Sequence, residues 1–310
     1  LIFFLACLSM LLQPIRMAGF FITMLARAGV AVDRLAEVFD ASPEIPNEPS
    51  GMAPSQISGR FKLDQVSYRY PGATDEALKD ISLEIEAGES LGIVGRVGSG
   101  KTTLLKHLVR LLDVQSGSIE LDGHALRDYP LSQLRKGVVQ VLQDPFLFGE
   151  PLGDNITYDD PGRETALIWN ASEAAALKDT ILSLADGLNT LVGERGVTLS
   201  GGQKQRATLA RGLIRDADVL ILDDCFSAVD TETEEHILGR LRRLRGNKTT
   251  VLVSHRVSTL RHTDRIVVLD EGRIVESGSH HELLALGGHY ATLEKMQTSR
   301  RDQDTSELMA

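Results

Sequence analysis

Gly95-Arg96-Val97-Gly98-Ser99-Gly100-Lys101-Thr102 decides how this 310-residue chain folds. The octapeptide fits G-x-x-x-x-G-K-[ST] and follows an apolar run, Leu91 to Val94, that reads as a buried strand. An amphipathic helix is expected next, from Thr102 to Leu112. Strand, glycine turn and helix in that order aim backbone N–H groups and a helix N-terminus at one spot, where partial positive charge favours a phosphate. Glycine is needed because the backbone must turn tightly and approach an anion with no Cβ in the way. Such a loop is common to many unrelated activities, so its meaning rests on what else the chain carries.

Composition sets the outer limits. With 42% apolar and 25% charged residues the chain supports a real core and is not a disordered polymer. A net charge of −10 and a pI near 5.3 argue against a nucleic-acid partner, which selects for a basic face. The two cysteines, Cys7 and Cys225, lie far apart in unlike surroundings, so no disulfide framework is expected and the bulk of the chain reads as cytosolic.

The first 40 residues differ from the rest. Leu1 to Leu12 has Ser9 as its one polar residue, and after Gln13-Pro14-Ile15-Arg16 a second apolar stretch runs from Met17 to Ala26. At about 1.5 Å per residue, a helix of this length crosses a bilayer core of roughly 30 Å. Pro14 and Arg16 suit a helix facing a bundle or cavity rather than bare lipid. A signal peptide is disfavoured by the lack of a basic stretch ahead of the apolar run, and a buried soluble helix is the other competing reading. The lack of an initiator Met leads to the expectation that this is the C-terminal part of a longer membrane protein.

Residues 1–40 are therefore assigned to a transmembrane helix and its cytoplasmic extension, Val30 to Asp40 continuing the helical spacing. Residues 41–58 hold Pro43, Pro46, Pro49 and Pro54 and read as an extended linker. A second domain spans 59–297, and 298–310 reads as a polar, frayed tail. In the second domain, apolar runs alternate with amphipathic segments, as in a parallel sheet with helices on its faces. Strands are expected at Gly137–Leu142, Val219–Leu222, Thr249–Val253 and Ile266–Leu269. Phe61–Tyr68 and Ile81–Ile85 alternate more strictly and suggest a small antiparallel sheet. From Asp154 to Gly196 the pattern is helical throughout, clearest at Ala171–Leu184, and implies a separate helical lobe. The arginines at 240, 242, 243 and 245 read as a basic helix end that offsets the helix dipole.

A second motif, Leu199-Ser200-Gly201-Gly202-Gln203 running on to Arg206, narrows the field, together with Gln143, Val219-Leu220-Ile221-Leu222-Asp223, Ser227-Ala228-Val229-Asp230 and His255. In that order, from Gly59 to Met296, the series resembles the nucleotide-binding domain of ATP-binding cassette (ABC) transporters, and the N-terminal segment resembles the last transmembrane helix of an exporter half. The fold this implies is an α/β P-loop NTPase cassette: a mixed, mostly parallel core sheet, an antiparallel β subdomain and a helical subdomain. ATP and Mg²⁺ are the implied ligands. The implied setting is the inner membrane, with the cassette in the cytoplasm.

By that resemblance Gly95 through Thr102, with Thr103, cradles the phosphates, Lys101 charges the β- and γ-phosphates, and Thr102, Asp223 and Gln143 serve the metal. Tyr70 matches the aromatic on which adenine stacks, and His255 the switch histidine at the γ-phosphate. Ser200 and Gly202 would complete the site of a second cassette, so two must close head to tail around two nucleotides. Glu194-Arg195-Gly196 resembles the loop that senses the membrane domain. A soluble cassette ATPase of the DNA-repair type is the rival, but it needs heptad arms or a basic face, and neither is present.

Asp224 departs from the pattern. Family members that hydrolyse ATP at this position carry Glu, the base that polarises the attacking water. Asp is one methylene shorter and withdraws the carboxylate by about 1 Å, a displacement that can cost roughly a hundredfold in rate. With the second motif intact, the expectation is a heterodimer in which this subunit holds ATP and turns it over slowly. A homodimer working through Asp224 and an ATP-binding regulatory half are the alternatives. The cargo that the resemblance implies is a small molecule, lipid or peptide.

Overall fold

The structure, a computed structural model, describes residues 1–43, 45, 53, 54 and 56–308, with side chains through Ser299. It divides into two compact units, Leu1–Pro46 and Asn47–Ala310. The first is one helix, α1 (Ile2–Phe39), with Pro14 inside it and no side chain buried within the chain. It is long and apolar enough to cross a membrane, with a mean hydropathy of 1.6 over an 18-residue stretch. The helix ends at Phe39, ahead of Pro43. Pro46 and Pro49 of the expected linker lie outside the described residues.

The second unit opens with β1 (Phe61–Tyr68), β2 (Leu78–Ile85) and β3 (Ser90–Gly95), followed by α2 (Lys101–Leu108), β4 (Ser116–Leu121), β5 (His124–Ala125), α3 (Leu131–Gly137) and β6 (Val138–Val141). The helical lobe holds α4 (Leu152–Ile156), α5 (Thr165–Ala174), α6 (Lys178–Ser183) and α7 (Gly201–Leu213). Then come β7 (Val219–Asp223), α8 (Thr231–Arg245), β8 (Thr249–Val253), α9 (Val257–Leu260), β9 (Arg265–Asp270), β10 (Arg273–Gly278), α10 (His280–Leu286) and α11 (His289–Leu308). Packing of this unit already includes Ile57, which is buried, and Asp122 gathers the chain entry by accepting from the N–H groups of Ser58 at 2.8 Å and Arg60 at 2.9 Å.

Six strands form the central sheet in the order β10-β9-β3-β8-β7-β6, parallel except for β10 at the edge. Their side chains divide by parity between two cores. Leu91, Ile93, Val219, Ile221, Val251, Val253, Val267 and Leu269 face one side, where α2 and the antiparallel sheet β2-β1-β4-β5 pack. Val94, Leu220, Leu222, Leu252, Ile266 and Val268 face the other, against the helical lobe. A sheet covered on both faces needs continuous apolar strands, which is why these runs do not alternate in sequence.

Two expected helices are shorter than their periodicity suggests, for one reason. The helix read as Thr102–Leu112 ends at Leu108, where Arg110 adopts φ +49°, and Ala171–Leu184 is split at Ala176, φ +52°. At the split, the Leu177 N–H donates to the Ser172 carbonyl at 2.7 Å and that of Ala176 to Glu173 at 3.1 Å, the paired bonds of a Schellman cap. Such caps favour glycine, and here alanine and arginine occupy them, so nothing in the sequence marks the stop. The tail read as frayed is helical through Leu308. Strands β4, β5 and β10 were not expected. In β4, Gly117 at φ +79° sits against the Asp64 and Gln65 carbonyls, and only Ile119 and Leu121 are apolar; β10 is a charged edge strand.

Of the basic cluster on α8, Arg245 does more than offset a dipole: it donates to the carbonyls of Ala217, Asp218 and Thr249 at 3.1, 3.2 and 2.8 Å, and burial pushes its pKa down to about 10. Arg240 ties α8 to the Glu173 carbonyl of α5 at 2.6 Å.

Replacing Ala176 by Gly should relieve the left-handed strain at the cost of some chain entropy. The expected result is a net stabilisation of about 0.5 kcal/mol, read as a higher unfolding midpoint.

Candidate nucleotide site

Parallel register brings four strand ends level. Ile93 of β3 pairs with Val253 of β8, Val253 with Asp223 of β7, and Leu222 with Val141 of β6. The chain leaving β3 forms the phosphate loop, that leaving β7 carries Asp224, that leaving β8 carries His255, and that leaving β6 carries Gln143. Ligands of open α/β sheets bind beyond such carboxyl ends. The sequence-predicted residues thus converge from positions up to 160 apart along the chain, Gly95 to His255.

The loop's glycines meet definite constraints. A Cβ on Gly95 would stand 2.2 Å from the Leu269 carbonyl oxygen, and one on Gly100, at φ +103°, 2.5 Å from that of Ala77. Arg96, Val97 and Gly98 form the exposed crest, and Ser99 is buried beneath it. Lys101 is buried and folds back, its Nζ donating to the carbonyls of Gly95 and Arg96, both at 2.8 Å, and to Ser99 Oγ at 3.4 Å. Burial lowers its pKa, while the carboxylates of Asp223 and Asp224 oppose that shift. Asp223 is buried beside it and pushed up by desolvation, against a hydrogen bond from the Thr102 hydroxyl.

Hard oxygen donors, the Thr102 hydroxyl and the Asp223 carboxylate, suit Mg²⁺. Among the described residues no group of three or more His, Cys, Asp or Glu side chains is arranged to cage a metal. A cation here would complete its shell with water and phosphate oxygens, as Mg²⁺ does in nucleotide sites.

Asp224 is nearly buried and adopts φ +46° immediately after β7. Its N–H donates to the Val253 carbonyl at 2.9 Å. One carboxylate oxygen lies 3.3 Å from His255 Nε2 and accepts from Gln143 Nε2 at 3.5 Å; the other accepts the His255 backbone N–H at 3.4 Å. Asp224, His255 and Gln143 therefore form one contact group. Gln140, not singled out from the sequence, donates to Asp223 at 3.5 Å. Tyr70 stands over the first turn of α2, with its hydroxyl 3.2 Å from Thr103 Oγ1 and Lys106 Nζ 5.9 Å from its ring centre.

Ser200 caps α7 reciprocally with Gln203: the Gln203 N–H donates to Ser200 Oγ at 3.3 Å and the Ser200 N–H to Gln203 Oε1 at 2.9 Å. A Cβ on Gly202 would stand 2.7 Å from the Ala228 carbonyl oxygen. Among the described residues no hydrogen bond links Ser200, Gly201 or Gly202 to the phosphate loop. Gln205 ties α7 to the loop after Asp224, donating to Ser227 Oγ and accepting from the Ala228 N–H, both at 2.8 Å. Arg211 ties the same helix to the segment after Gln143, donating to the Phe146 carbonyl at 2.8 Å and the Asn155 carbonyl at 2.6 Å. Sequence reasoning missed Gln205 and Arg211; polar residues on an amphipathic helix carry no local mark of a distant carbonyl. Glu194 and Arg195 are exposed, Arg195 at φ +53°.

This convergence of a phosphate loop, a strand-end acidic pair and level parallel strands places the domain among the P-loop NTPases. Residues 78–227 match the ABC transporter family profile (ABC_tran), and the chain belongs to that family. It is 43% identical over 299 residues to the ATP-dependent lipid A-core flippase of Alkalilimnicola ehrlichii, covering 96% of this chain and 50% of that protein. The lipid A-core flippase of Pseudomonas aeruginosa is 40% identical over 297 residues, covering 96% and 49%. Among solved structures, a bacterial Atm1-family ABC exporter with ATP bound is similar with a TM-score of 0.84 and 35% identity, over 92% of this chain and 50% of that one. The chain spans about half the length of these relatives.

Cys225 is buried, and its thiol pKa is raised by burial and by the neighbouring Asp224 and Asp223 charges. A raised pKa keeps the thiol protonated and unreactive at neutral pH. In a Cys7→Ser background, a water-soluble maleimide at pH 7–8 should leave the native protein unlabelled and label it fully once unfolded.

Proposed function

We propose that this chain is the ATP-driven part of a membrane exporter subunit. ATP closes two cassettes head to tail, closure is passed to the membrane helices, and hydrolysis resets them. Such coupling requires ATP to bind the closed state more tightly than the open one. In this reading α1 crosses the membrane and the cassette lies in the cytoplasm. The names of the 40–43% identical relatives favour an amphipathic lipid as cargo.

Residues Gly95 to Thr103 hold the phosphates, with Lys101 as the point charge, and Tyr70 takes the adenine on its ring face. Thr102, Asp223 and Gln143 hold Mg²⁺, which offsets the charge on the phosphate oxygens. Asp224 occupies the base position, and His255 reaches the γ-phosphate. Ser200 and Gly202, unattached to their own phosphate loop, serve the nucleotide of a second cassette.

The observation that carries the finer reading is the state of Asp224. Its carboxylate is short for the task, and both oxygens are engaged by His255 and Gln143. A base so placed polarises water poorly, and losing general-base action costs about 10²- to 10⁴-fold. The subunit therefore holds ATP for long periods while its Ser200–Gly202 segment completes a competent site on a Glu-bearing partner. The same contacts favour a second reading, since they leave the base position assembled: a homodimer turning over slowly through Asp224.

Steady-state ATP turnover by the full-length protein in lipid nanodiscs, with and without Asp224→Glu, separates the two. The heterodimer reading predicts that the protein without a partner is nearly silent and that Glu raises its turnover by about a hundredfold. Substantial turnover by the unmodified protein, little changed by Glu, would establish Asp224 as a working base and remove the reason for a partner.

A further inference from the structure

The backbone that carries His255 is clamped by a residue from the far end of the chain. On α11, Gln297 accepts from the Val257 N–H at 2.9 Å and donates through Nε2 to the His255 carbonyl at 2.5 Å. One primary amide thus satisfies the backbone on both sides of Arg256. Arg256 is held from the opposite direction, donating to the carbonyls of Val229 and Ser227, each at 3.2 Å, and to the buried carboxylate of Glu234 at 2.7 Å. Glu234 also accepts from the Thr259 hydroxyl. Residues 255–257 are therefore fixed between α11 on one side and α8 with the loop after Asp224 on the other.

The helix that presents Gln297 is itself anchored. Glu276 of β10 accepts from the first backbone N–H groups of α11, those of His289 and, at 3.0 Å, Tyr290. Tyr290 is fully buried, with its hydroxyl 2.8 Å from His280 Nδ1. Between its anchor and Gln297, α11 contributes His289, Thr292, Leu293 and Met296 to the wall of a cavity of about 380 Å³, whose other side includes Gly95 and Arg96 of the phosphate loop. The helix is thus held against the histidine segment, with the cavity between it and the phosphate loop.

We propose that Gln297 is a positioning residue of this nucleotide site, whether hydrolysis there is slow through Asp224 or raised by Glu: it fixes the backbone of His255 so that the imidazole stays in place beside the carboxylate at position 224. The inference rests on the ATPase reading given above. The side chain of Gln297 bonds the backbone of His255 and Val257, so its effect on the site passes through the histidine segment. Loss of the clamp lets the imidazole shift by a distance that matters for catalysis, and leaves the contacts of the Gly95–Thr103 phosphate loop, which dominate ATP affinity, in place.

The test is a double-mutant cycle in the full-length protein in nanodiscs, carried in the Asp224→Glu background so that turnover is measurable. Gln297→Met keeps the side-chain length and removes both hydrogen bonds. The expected result is a kcat lower by roughly ten- to a hundredfold with the ATP KM unchanged, and no further loss when Gln297→Met is added to His255→Ala. Amide exchange should quicken at Val257 and leave the phosphate loop as protected by ATP as before. Unchanged kcat, or an equal loss with and without His255, overturns the proposal and assigns Gln297 to stability alone. Absence of turnover in the Asp224→Glu parent, with the Val257 amide still protected by Gln297, sinks the ATPase reading and this inference with it.

Discussion

The rest of the site depends on one buried ammonium. Lys101 opens α2 beneath a loop in which Gly95 and Gly100 leave no room for side chains, and its charge is satisfied by the carbonyls of Gly95 and Arg96 and favoured by the carboxylates of Asp223 and Asp224. A cation desolvated this far is costly unless paired. The carboxylates whose charge favours it, Asp223 and Asp224, stand at and just after the end of β7, which the parallel register holds level with the end of β3 through β8. The central sheet is therefore the device that sets acid against base, and the two cores on its faces keep those strands in register.

From that pairing the chemistry extends outward in both directions. On one side Thr102 and Asp223 present hard oxygen to a divalent cation. On the other, Asp224 joins His255 and Gln143, linking the ends of β7, β8 and β6. The α7 helix reaches this centre indirectly, through Gln205 on the Ser227-Ala228 backbone and Arg211 on the segment after Gln143. Its start, capped by Ser200, is exposed.

Much of this was legible in the sequence because the decisive features are local. The phosphate loop, the apolar strands ending in Asp223 and Val253, and the capped start at Ser200 each announce themselves within a few residues. What escaped detection was of two kinds. Left-handed caps at Arg110 and Ala176 lack the glycine that would have marked them, so both helices read too long. The clamps made by Gln205, Arg211, Arg256 and Gln297 join residues 22 to 65 positions apart and are written in no pattern of spacing. Strand β4, with two inward apolar residues and a kinked glycine, fell below the contrast that alternation needs.

The central claim is that this chain's phosphate loop retains uncleaved ATP while a partner site turns over, and the chemical state of the bound nucleotide tests it most directly. The full-length transporter, purified with its partner, would be given labelled ATP and Mg²⁺, freed of unbound nucleotide by rapid gel filtration during turnover, and analysed for what remains and on which subunit. The account predicts one ATP per dimer, intact and photo-crosslinked to the subunit carrying Tyr70. Retained ADP on this subunit, turning over as fast as on the partner, would contradict it.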